Sequence, residues 1–383
     1  MDSRRGQMLV VGVAIIDQGR LLATRRVLPA ELAGGWEFPG GKVDPGETSE
    51  QSAVREVAEE LGCAVQVTGR LGGEQQLRAG FVLHVYAARL VGGEPTPRVH
   101  DALRWLGPEE LDEVAWLSAD RPFLGELEQL LLDGESLPGG NVGGAVRIGA
   151  TARRPTGPWT PAVHALLDHL ATAGLDGVPR VLGIDARGRE VLTYLPGRTC
   201  PDGEAPDHVI VEAMHWLRRY HAAVRDFRPT GSVRWRFSDR SMDRDEIICH
   251  HDVAPYNVVV DESERLVGVI DWDVAGPGHP LDDLAFSAWN FVPLWRDVGV
   301  RESARRLRLL CASYGAIRPS DVLAGVVPRI SGAVANITAG QAAGDSGMAN
   351  LAAVGEPGRT RVALDHLIAV LPGIEQELGR GTP

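Results

Sequence analysis

The stretch GGKVDPGETSEQSAVREVAEELGC, residues 40–63, combines a glycine loop, a tight turn and an acidic helix. Asp44-Pro45-Gly46 is a strong turn signal, because proline presets φ and glycine readily adopts a positive φ. Thr48 or Ser49 can cap the helix that follows, and Gly62 is placed to end it. The apolar residues of this helix stand four apart: Ala53, Val57 and Leu61. This spacing predicts one buried helix face.

Three carboxylates crowd one end of the same helix, those of Glu56, Glu59 and Glu60. Like charges about one turn apart repel each other, so folding alone does not favour them. A hard divalent cation would relieve the repulsion, and Mg²⁺ commonly combines a few carboxylates with substrate phosphates. The pattern therefore predicts a metal site rather than the solvated acidic face that most charge runs form.

From Gly41 onward the stretch resembles the Nudix box, the signature of the Nudix hydrolases, with Cys63 accepted as its final apolar residue. The preceding Phe38-Pro39-Gly40-Gly41 is most similar to the branch that sanitises nucleoside triphosphates. The resemblance implies an α/β/α sandwich over residues 1–135. It also implies Mg²⁺-dependent hydrolysis, with Mn²⁺ as an alternative ion, of a nucleoside triphosphate to the monophosphate and pyrophosphate.

The same resemblance implies roles for individual residues. It assigns the metal to the carbonyl of Gly40 and the carboxylates of Glu56, Glu59 and Glu60. Glu56 is also the candidate for orienting or deprotonating the attacking water. Arg55 would steady the carboxylates, and Glu47 would pair with Arg55. Relatives often carry one more metal-side carboxylate before the last strand; Val99 stands there in this chain, and Asp101 is the candidate substitute.

Three more positions are candidates for substrate binding. Arg25 or Arg26 is expected to reach the phosphates, with an exposed strand end as the alternative for either. Phe38 is a candidate for the base pocket, with core packing as the alternative. Asp120 stands where relatives place the residue that reads the nucleobase. The alternative role of Asp120 is that of an N-cap ahead of Pro122, since proline suits the first helical turn.

A second informative stretch is residues 249–285. Asp252 and Asn257 precede a predicted hairpin of residues 258–260 and 266–270, and Asp271 follows it. Three oxygen-bearing side chains can therefore converge at the open end of the hairpin. Such a set suits phosphoryl transfer, in which one carboxylate orients the hydroxyl and the other groups hold Mg²⁺.

The order His250-x-Asp252, four residues, Asn257 and then Asp271 resembles the loops of the aminoglycoside phosphotransferase family. The resemblance implies a two-lobed, kinase-like α+β domain over residues 136–383. Asp252 would act on the hydroxyl of a small acceptor, while Asn257 and Asp271 would hold Mg²⁺ on ATP or GTP. Asp283 matches the structural aspartate that braces the loop.

The small lobe departs from this pattern. The glycine-rich residues 139–149 are a candidate phosphate-covering loop, with a flexible domain start as the alternative. Lys42 is the only lysine of the chain, so Arg153 or Arg154 occupies the place of the strand lysine that kinases use. Arginine is not equivalent to lysine. Two alternatives therefore stay open: a non-catalytic binding module, or a kinase whose Nudix domain senses nucleotides.

Composition limits the classes of partner and the cellular location that we expect. The 383 residues carry a net charge of −12, so neither nucleic acid nor an anionic membrane is an expected partner. The basic and apolar N-terminus is interpreted as a first strand rather than a signal peptide, because no small-residue cleavage site follows. Four widely spaced cysteines show no disulfide framework, which predicts a cytoplasmic protein.

Overall fold

A computed structural model describes residues 8–137, 144–200, 205–229, 233–315 and 317–380. Its described residues divide into two compact units. One lies within Met1–Leu137 and Val146–Ala152, and the other within Pro138–Ala145 and Arg153–Pro383. The boundary that the sequence suggests, between residues 135 and 136, stays a prediction. Residues 139–143 of the candidate glycine loop lie outside the described residues.

The first unit is built around a mixed sheet of its first eight strands, with helices on both faces of that sheet. Its elements are β1 Met8–Asp17, β2 Arg20–Arg26, β3 Trp36–Glu37, β4 Gly40–Lys42, α1 Ser49–Leu61, β5 Ala64–Arg70, β6 Gln75–Gln76, β7 Phe81–Gly92, β8 His100–Leu106, α2 Leu124–Asp133, β9 Glu135–Ser136 and β10 Val146–Ile148. The central order is β3–β2–β1–β7–β5, in which β1 and β7 run parallel. The strand β8 pairs with β2, and β4 pairs with β1.

The alternating side-chain directions of β1 explain why helices pack on both faces of the sheet. Val11, Val13 and Ile15 pack in one core cluster with the apolar stripe of α1. Ala14 points to the opposite face and packs in a second cluster with Leu127 of α2. Successive side chains of a strand point to opposite faces, so one strand serves both cores. The predicted α/β/α sandwich is therefore confirmed.

Helix α1 begins and ends as its sequence predicts. Thr48 is the N-cap and forms a capping box with Gln51, and Gly62 ends the helix with φ of 68°. The stripe residues are fully buried: Ala53, Val57 and Leu61. Burial of this stripe places the carboxylates on the opposite face of α1 beside the loop that carries β4.

The second unit has a small sheet, a central hairpin and a helical region. Its elements are β11 Thr151–Pro155, α3 Thr160–Thr172, β12 Val181–Ile184, β13 Arg189–Thr193, β14 Arg198–Thr199, α4 Asp207–Ala223, β15 Ile247–Cys249, β16 Val258–Val260, β17 Leu266–Val269, β18 Gly276–Gly278, α5 Pro280–Phe291, α6 Val300–Tyr314, α7 Pro319–Ala342, α8 Ser346–Ala353 and α9 Gly358–Gly379. Strands β12, β13 and β11 are neighbours in that order, and β16 pairs with β14 and β17. The predicted two-lobed α+β class is confirmed.

Helix α7 has the length and composition of a membrane-crossing helix, with a mean hydropathy of 1.4 over its most apolar window. In the second unit it packs against α5, α8 and α9. A single helix of this kind is weak evidence for a membrane, because core helices of soluble proteins have the same composition.

Candidate active site

Arg55 joins the acidic side chains at the end of α1. Its Nε and Nη2 donate to the two carboxylate oxygens of Glu47, each at 3.0 Å. Its Nη1 donates to Glu56 at 2.9 Å and to Glu59 at 3.3 Å. Nη2 also donates to the carbonyl of Lys42 at 3.1 Å. The planar guanidinium therefore fixes three carboxylates and the glycine loop together.

Glu60 belongs to the same acidic cluster, but Arg55 does not bind its carboxylate. Its Oε2 accepts from the backbone N–H of Gly40 at 3.0 Å. Burial raises the pKa of Glu60 to about 7, against opposing effects of His100 and of the Gly40 N–H. Among the described residues it has no ion-pair partner. A cation that the neighbouring carboxylates also bind would stabilise the ionised form of such a carboxylate.

The glycine loop provides the space that this cluster needs. A Cβ added to Gly41 would lie 2.4 Å from the carboxyl carbon of Glu56. At Gly40, φ is +154° and an added Cβ would lie 2.0 Å from the carbonyl oxygen of Val11. The donor set of carboxylates and backbone oxygen suits Mg²⁺, a hard cation. The residues present therefore fit the metal that the sequence predicts.

The two neighbouring arginines of β2 point in different directions. Arg25 forms a bidentate pair with Asp101, at 2.7 and 3.1 Å, on an exposed surface. Arg26 forms an ion pair with Glu37, which is buried. Of the two candidates, Arg26 is thus the arginine that contacts Glu37. Asp101, held by Arg25, is not brought to the metal-side cluster.

Glu37 and His100 were missed by sequence reasoning. Glu37 accepts from Arg26 and lies 3.3 Å from His100 Nε2 through its other oxygen. Both residues act electrostatically on Glu60, and Glu37 acts also on Asp120. The pair therefore lies between the metal-side carboxylates and the candidate base-reading residue. The position of Glu37 one residue before Phe38 was the available signal.

Asp120 points to the loop rather than to its own helix. Its Oδ1 accepts from the backbone N–H of Phe38 at 3.4 Å, and its side chain makes no capping hydrogen bond. Burial, and then the charge of Glu37, raise the pKa of Asp120 to about 8. Phe38 itself packs in the core, 5.1 Å from the ring of Trp116. The structure thus brings Asp120 and the backbone of Phe38 together.

We expect Asp120→Asn to stabilise the protein increasingly as the pH rises. The pKa of Asp120 is higher in the folded protein than its ordinary value of 3.8, so the folded form holds its proton between about pH 4 and about pH 8. Stability therefore falls across that window, and an amide, which does not ionise, removes the loss. Calorimetry of both proteins should show a melting-temperature difference that grows with pH. A constant difference would contradict the burial of an ionisable group there.

In the second unit, Asp283 holds the loop that carries Asp252. Its two oxygens accept from the backbone N–H groups of His250 at 3.0 Å and His251 at 2.6 Å. His221 Nε2 contacts the same carboxylate at 2.9 Å. His221, Cys249 and Asp283 offer potential metal ligands within 4.8 Å of one another, yet these atoms already serve hydrogen bonds. We therefore interpret this buried group as a brace.

Asp252, Asn257 and Asp271 line the same cavity. The amide nitrogen of Asn257 donates to Oδ2 of Asp252 at 2.8 Å, and the hydroxyl of Tyr256 donates to Oδ1 at 2.8 Å. Burial, and then the charge of Asp271, raise the pKa of Asp252 to about 8. The convergence that the sequence predicts at the open end of the hairpin is therefore observed.

The two arginines of β11 also separate. Arg153 is buried and faces Asp185, with 3.3 Å between Nη1 and Oδ2. Arg154 contacts Asp271 at 2.8 Å and Asp273 at 2.9 Å through Nη2. Of the two candidates, Arg154 thus lies beside the end of the hairpin. Because its guanidinium binds the carboxylate expected to hold Mg²⁺, the residues at this second position do not fit the metal as they stand.

The cavity beside this loop has a volume of about 1990 Å³. Its walls come from the helical region, with small residues of α7 such as Gly332 and Ala333 on one side. The aromatic residues that line it are Trp235, Phe237, Tyr256, Phe286, Trp289 and Trp295. A pocket for one drug-sized ligand measures roughly 300–1,000 Å³. The cavity is therefore large enough for a bulky, partly apolar ligand.

Family models match both units. The NUDIX domain matches residues 6–127, and the Phosphotransferase enzyme family matches residues 232–319. The chain belongs to the Nudix hydrolases through its first domain, and residues 232–319 of its second unit match the phosphotransferase enzyme family. Both resemblances that the motifs suggested are thus confirmed.

Individual relatives match different parts of the chain. Putative 8-oxo-dGTP diphosphatase 2 of Mycobacterium tuberculosis is 44% identical over 126 residues, which are 32% of this chain and 89% of the relative. CTP pyrophosphohydrolase of Escherichia coli is 36% identical over 121 residues, 31% of this chain and 90% of the relative. Trifolitoxin immunity protein of Rhizobium leguminosarum bv. trifolii is 34% identical over 194 residues, 48% of this chain and 74% of the relative.

Proposed function

We propose that the first domain hydrolyses a nucleoside triphosphate to the monophosphate and pyrophosphate with Mg²⁺, or with Mn²⁺ in its place. The observation that carries the proposal is the cluster in which Arg55 fixes Glu47, Glu56 and Glu59 while Glu60 lies on Gly40. Relatives of the first domain are named for hydrolysis of 8-oxo-dGTP and CTP, which supports a triphosphate substrate.

In the mechanism that we propose, Glu56, Glu59, Glu60 and the carbonyl of Gly40 would hold Mg²⁺. The ion would supply positive charge to the phosphates and a lower pKa to the attacking water. Glu56 orients or deprotonates the water. Arg55 fixes its carboxylate, which occupies the space that a side chain at position 41 would fill. Arg26, which contacts Glu37 at the edge of this cluster, would stabilise phosphate charge, a role that planar guanidinium groups perform well.

The nucleobase that we propose offers a hydrogen-bond donor next to an acceptor. With a pKa of about 8, Asp120 is largely protonated at neutral pH, and a protonated carboxyl both donates and accepts. Cytosine presents such a pair at N4 and N3, and 8-oxoguanine presents one at N7–H and O6, where guanine has only the two acceptors N7 and O6. The names of the two nucleotide-hydrolysing relatives agree with this reading.

A panel of nucleoside triphosphates tests the proposal, with pyrophosphate release as the readout. We expect Mg²⁺-dependent release that is fastest with CTP-like or 8-oxo-dGTP-like bases and slower with dGTP. Pyrophosphate release from no member of the panel would contradict the assignment.

For the second domain we propose binding of a ligand in the 1990 Å³ cavity. Convergence of Asp252, Asn257 and Asp271 on the cavity supports phosphoryl transfer to a small hydroxylated acceptor, whereas Arg154 at Asp271 opposes it. The relative named as an immunity protein matches over more residues than the first unit contains, so its likeness extends into the second domain. That name supports binding of a harmful compound.

We expect Gly332→Trp to reduce binding of the apolar dye ANS. Gly332 lines the cavity, and a Cβ added to it meets no atom within 4 Å, so an indole would fill the space. Ala335→Trp is the matched control, because Ala335 is exposed on the same helix and does not line the cavity. Equal dye fluorescence in the two variants would contradict an accessible binding cavity.

Location and partners stay proposals. All four cysteines are free and buried, which suits the reducing cytoplasm that we propose. Net charge disfavours nucleic acid as a partner.

A further inference from the structure

The edge of the cavity next to Asp271 carries a network of charged side chains. Arg154 Nη2 lies 2.8 Å from Asp271 and 2.9 Å from Asp273, and its Nη1 lies 3.7 Å from Glu190. Glu190 is almost fully buried and contacts His164 of α3 at 3.0 Å. One guanidinium thus serves three carboxylates that come from β13 and from the end of the hairpin.

A second arginine closes the network from the other side. Arg236 contacts Asp273 at 3.5 Å and forms a bidentate pair with Asp345, at 3.0 and 3.2 Å. Its guanidinium lies 4.4 Å from the ring centroid of Trp159 and is 3% exposed. The network is therefore built into the fold, since it links the small lobe, the hairpin and the N-cap of α8.

This arrangement changes what Asp271 can do. Arg154 Nη2 binds Oδ1 of Asp271 and Oδ2 of Asp273, so a divalent cation on these oxygens would lie next to the guanidinium, and two cations in contact with the same carboxylates repel each other strongly. Arginine cannot lose its proton in a protein, so it does not yield the site by titration. A lysine on the same strand would present a single flexible ammonium, whereas the planar fork of arginine spans Asp271, Asp273 and Glu190 together.

We propose that Arg154 takes the place of the metal in the second domain, which binds its ligand without a divalent cation and transfers no phosphoryl group. Asp252 then acts as a hydrogen-bonding group in the lining of the cavity rather than as a base. Its contacts with Tyr256 and Asn257 hold it in place for that purpose. This assignment goes beyond ligand binding, and it does not depend on the activity of the first domain.

Binding of Mn²⁺, followed by electron paramagnetic resonance of the free ion, tests the assignment. The full-length chain carries Glu56→Gln, Glu59→Gln and Glu60→Gln, so that the first domain no longer holds metal. We expect this chain to bind no Mn²⁺ stoichiometrically, either alone or with a non-hydrolysable ATP analogue. Adding Arg154→Ala is expected to create a stoichiometric Mn²⁺ site, because Asp271, Asp273 and Glu190 lose their shared cation. Adding Asp271→Asn as well should abolish that site.

Two results would overturn the assignment. The first is stoichiometric Mn²⁺ binding by the chain that retains Arg154, lost on Asp271→Asn, which would restore the metal-using phosphotransferase. The second is failure of Arg154→Ala to gain a site, which would show that the guanidinium is not what excludes the ion. Arg154→Gln, which keeps the hydrogen-bond donors without the charge, replaces the alanine variant if that variant does not fold.

Discussion

Glu60→Gln is expected to reduce the hydrolysis of nucleoside triphosphates by at least about 100-fold. Metal ions contribute several kcal/mol of transition-state stabilisation, and each ~1.4 kcal/mol corresponds to a factor of ten in rate. The amide keeps the size of the side chain but not its charge, so it weakens the metal site. Its effect on folding should be small, because burial already raises the pKa of Glu60 to about 7. Steady-state rates of pyrophosphate release give the measurement.

Glu50→Gln is the matched control for this prediction. Glu50 lies in the first turn of the same helix and is exposed, away from the cluster. Its amide variant should retain the wild-type rate. Near-normal turnover of Glu60→Gln with Mg²⁺, in a chain that melts normally, would show that Glu60 is not a metal ligand.

Asp283→Ala is expected to destabilise the second domain by about 3 kcal/mol or more. Asp283 is fully buried, and its removal leaves the N–H groups of His250 and His251 without acceptors. Each buried unsatisfied group costs about 1–3 kcal/mol, and the lost contact with His221 adds to this. Burial by itself would raise the pKa of Asp283, but hydrogen bonding by His221 holds that pKa well below its ordinary value. The contribution is therefore present above the ordinary pKa and is lost as the pH falls.

Asp282→Ala provides the comparison for Asp283→Ala within the same helix. The side chain of Asp282 accepts one bond, from the N–H of His279 at 2.8 Å, at the start of α5. Loss of such a cap costs about 1 kcal/mol. Denaturant unfolding of both variants should separate them clearly. Equal stabilities would contradict the role of Asp283 as the brace of the loop.

Local signals predicted the element around which the first domain is built. The cap at Thr48, the stop at Gly62 and the apolar spacing of α1 are all encoded within one short stretch, and the structure reproduces them. The same holds for the hairpin between Asn257 and Asp271. Capping and periodicity need no knowledge of distant residues, which explains this success.

Side-chain direction on short strands could not be predicted in the same way. Neighbouring residues of a strand point to opposite faces, so the choice between Arg25 and Arg26 depends on the pairing of β2 with β3 and β8. The choice between Arg153 and Arg154 on β11 has the same origin. In the structure Arg26 contacts Glu37 and Arg154 contacts Asp271, whereas Arg25 and Arg153 contact Asp101 and Asp185, which are not candidate site residues of the two clusters.

Glu37 and His100 show a further limit of sequence reasoning. They lie far apart in the chain and meet only because β3 and β8 both pair with β2. Glu37 stands next to Phe38, but nothing in the local sequence of either residue indicates that Glu37 and His100 meet. Their position between Glu60 and Asp120 follows from long-range register, which local patterns do not contain.

Product identification by phosphorus NMR tests the central claim most directly. The wild-type chain, given Mg²⁺ and the best substrate of the nucleotide panel, should yield the nucleoside monophosphate and pyrophosphate in equal amounts. Chelation of the metal should stop the reaction, and Glu60→Gln should slow it. Formation of the nucleoside diphosphate and phosphate, or turnover that persists without a divalent cation, would contradict the account.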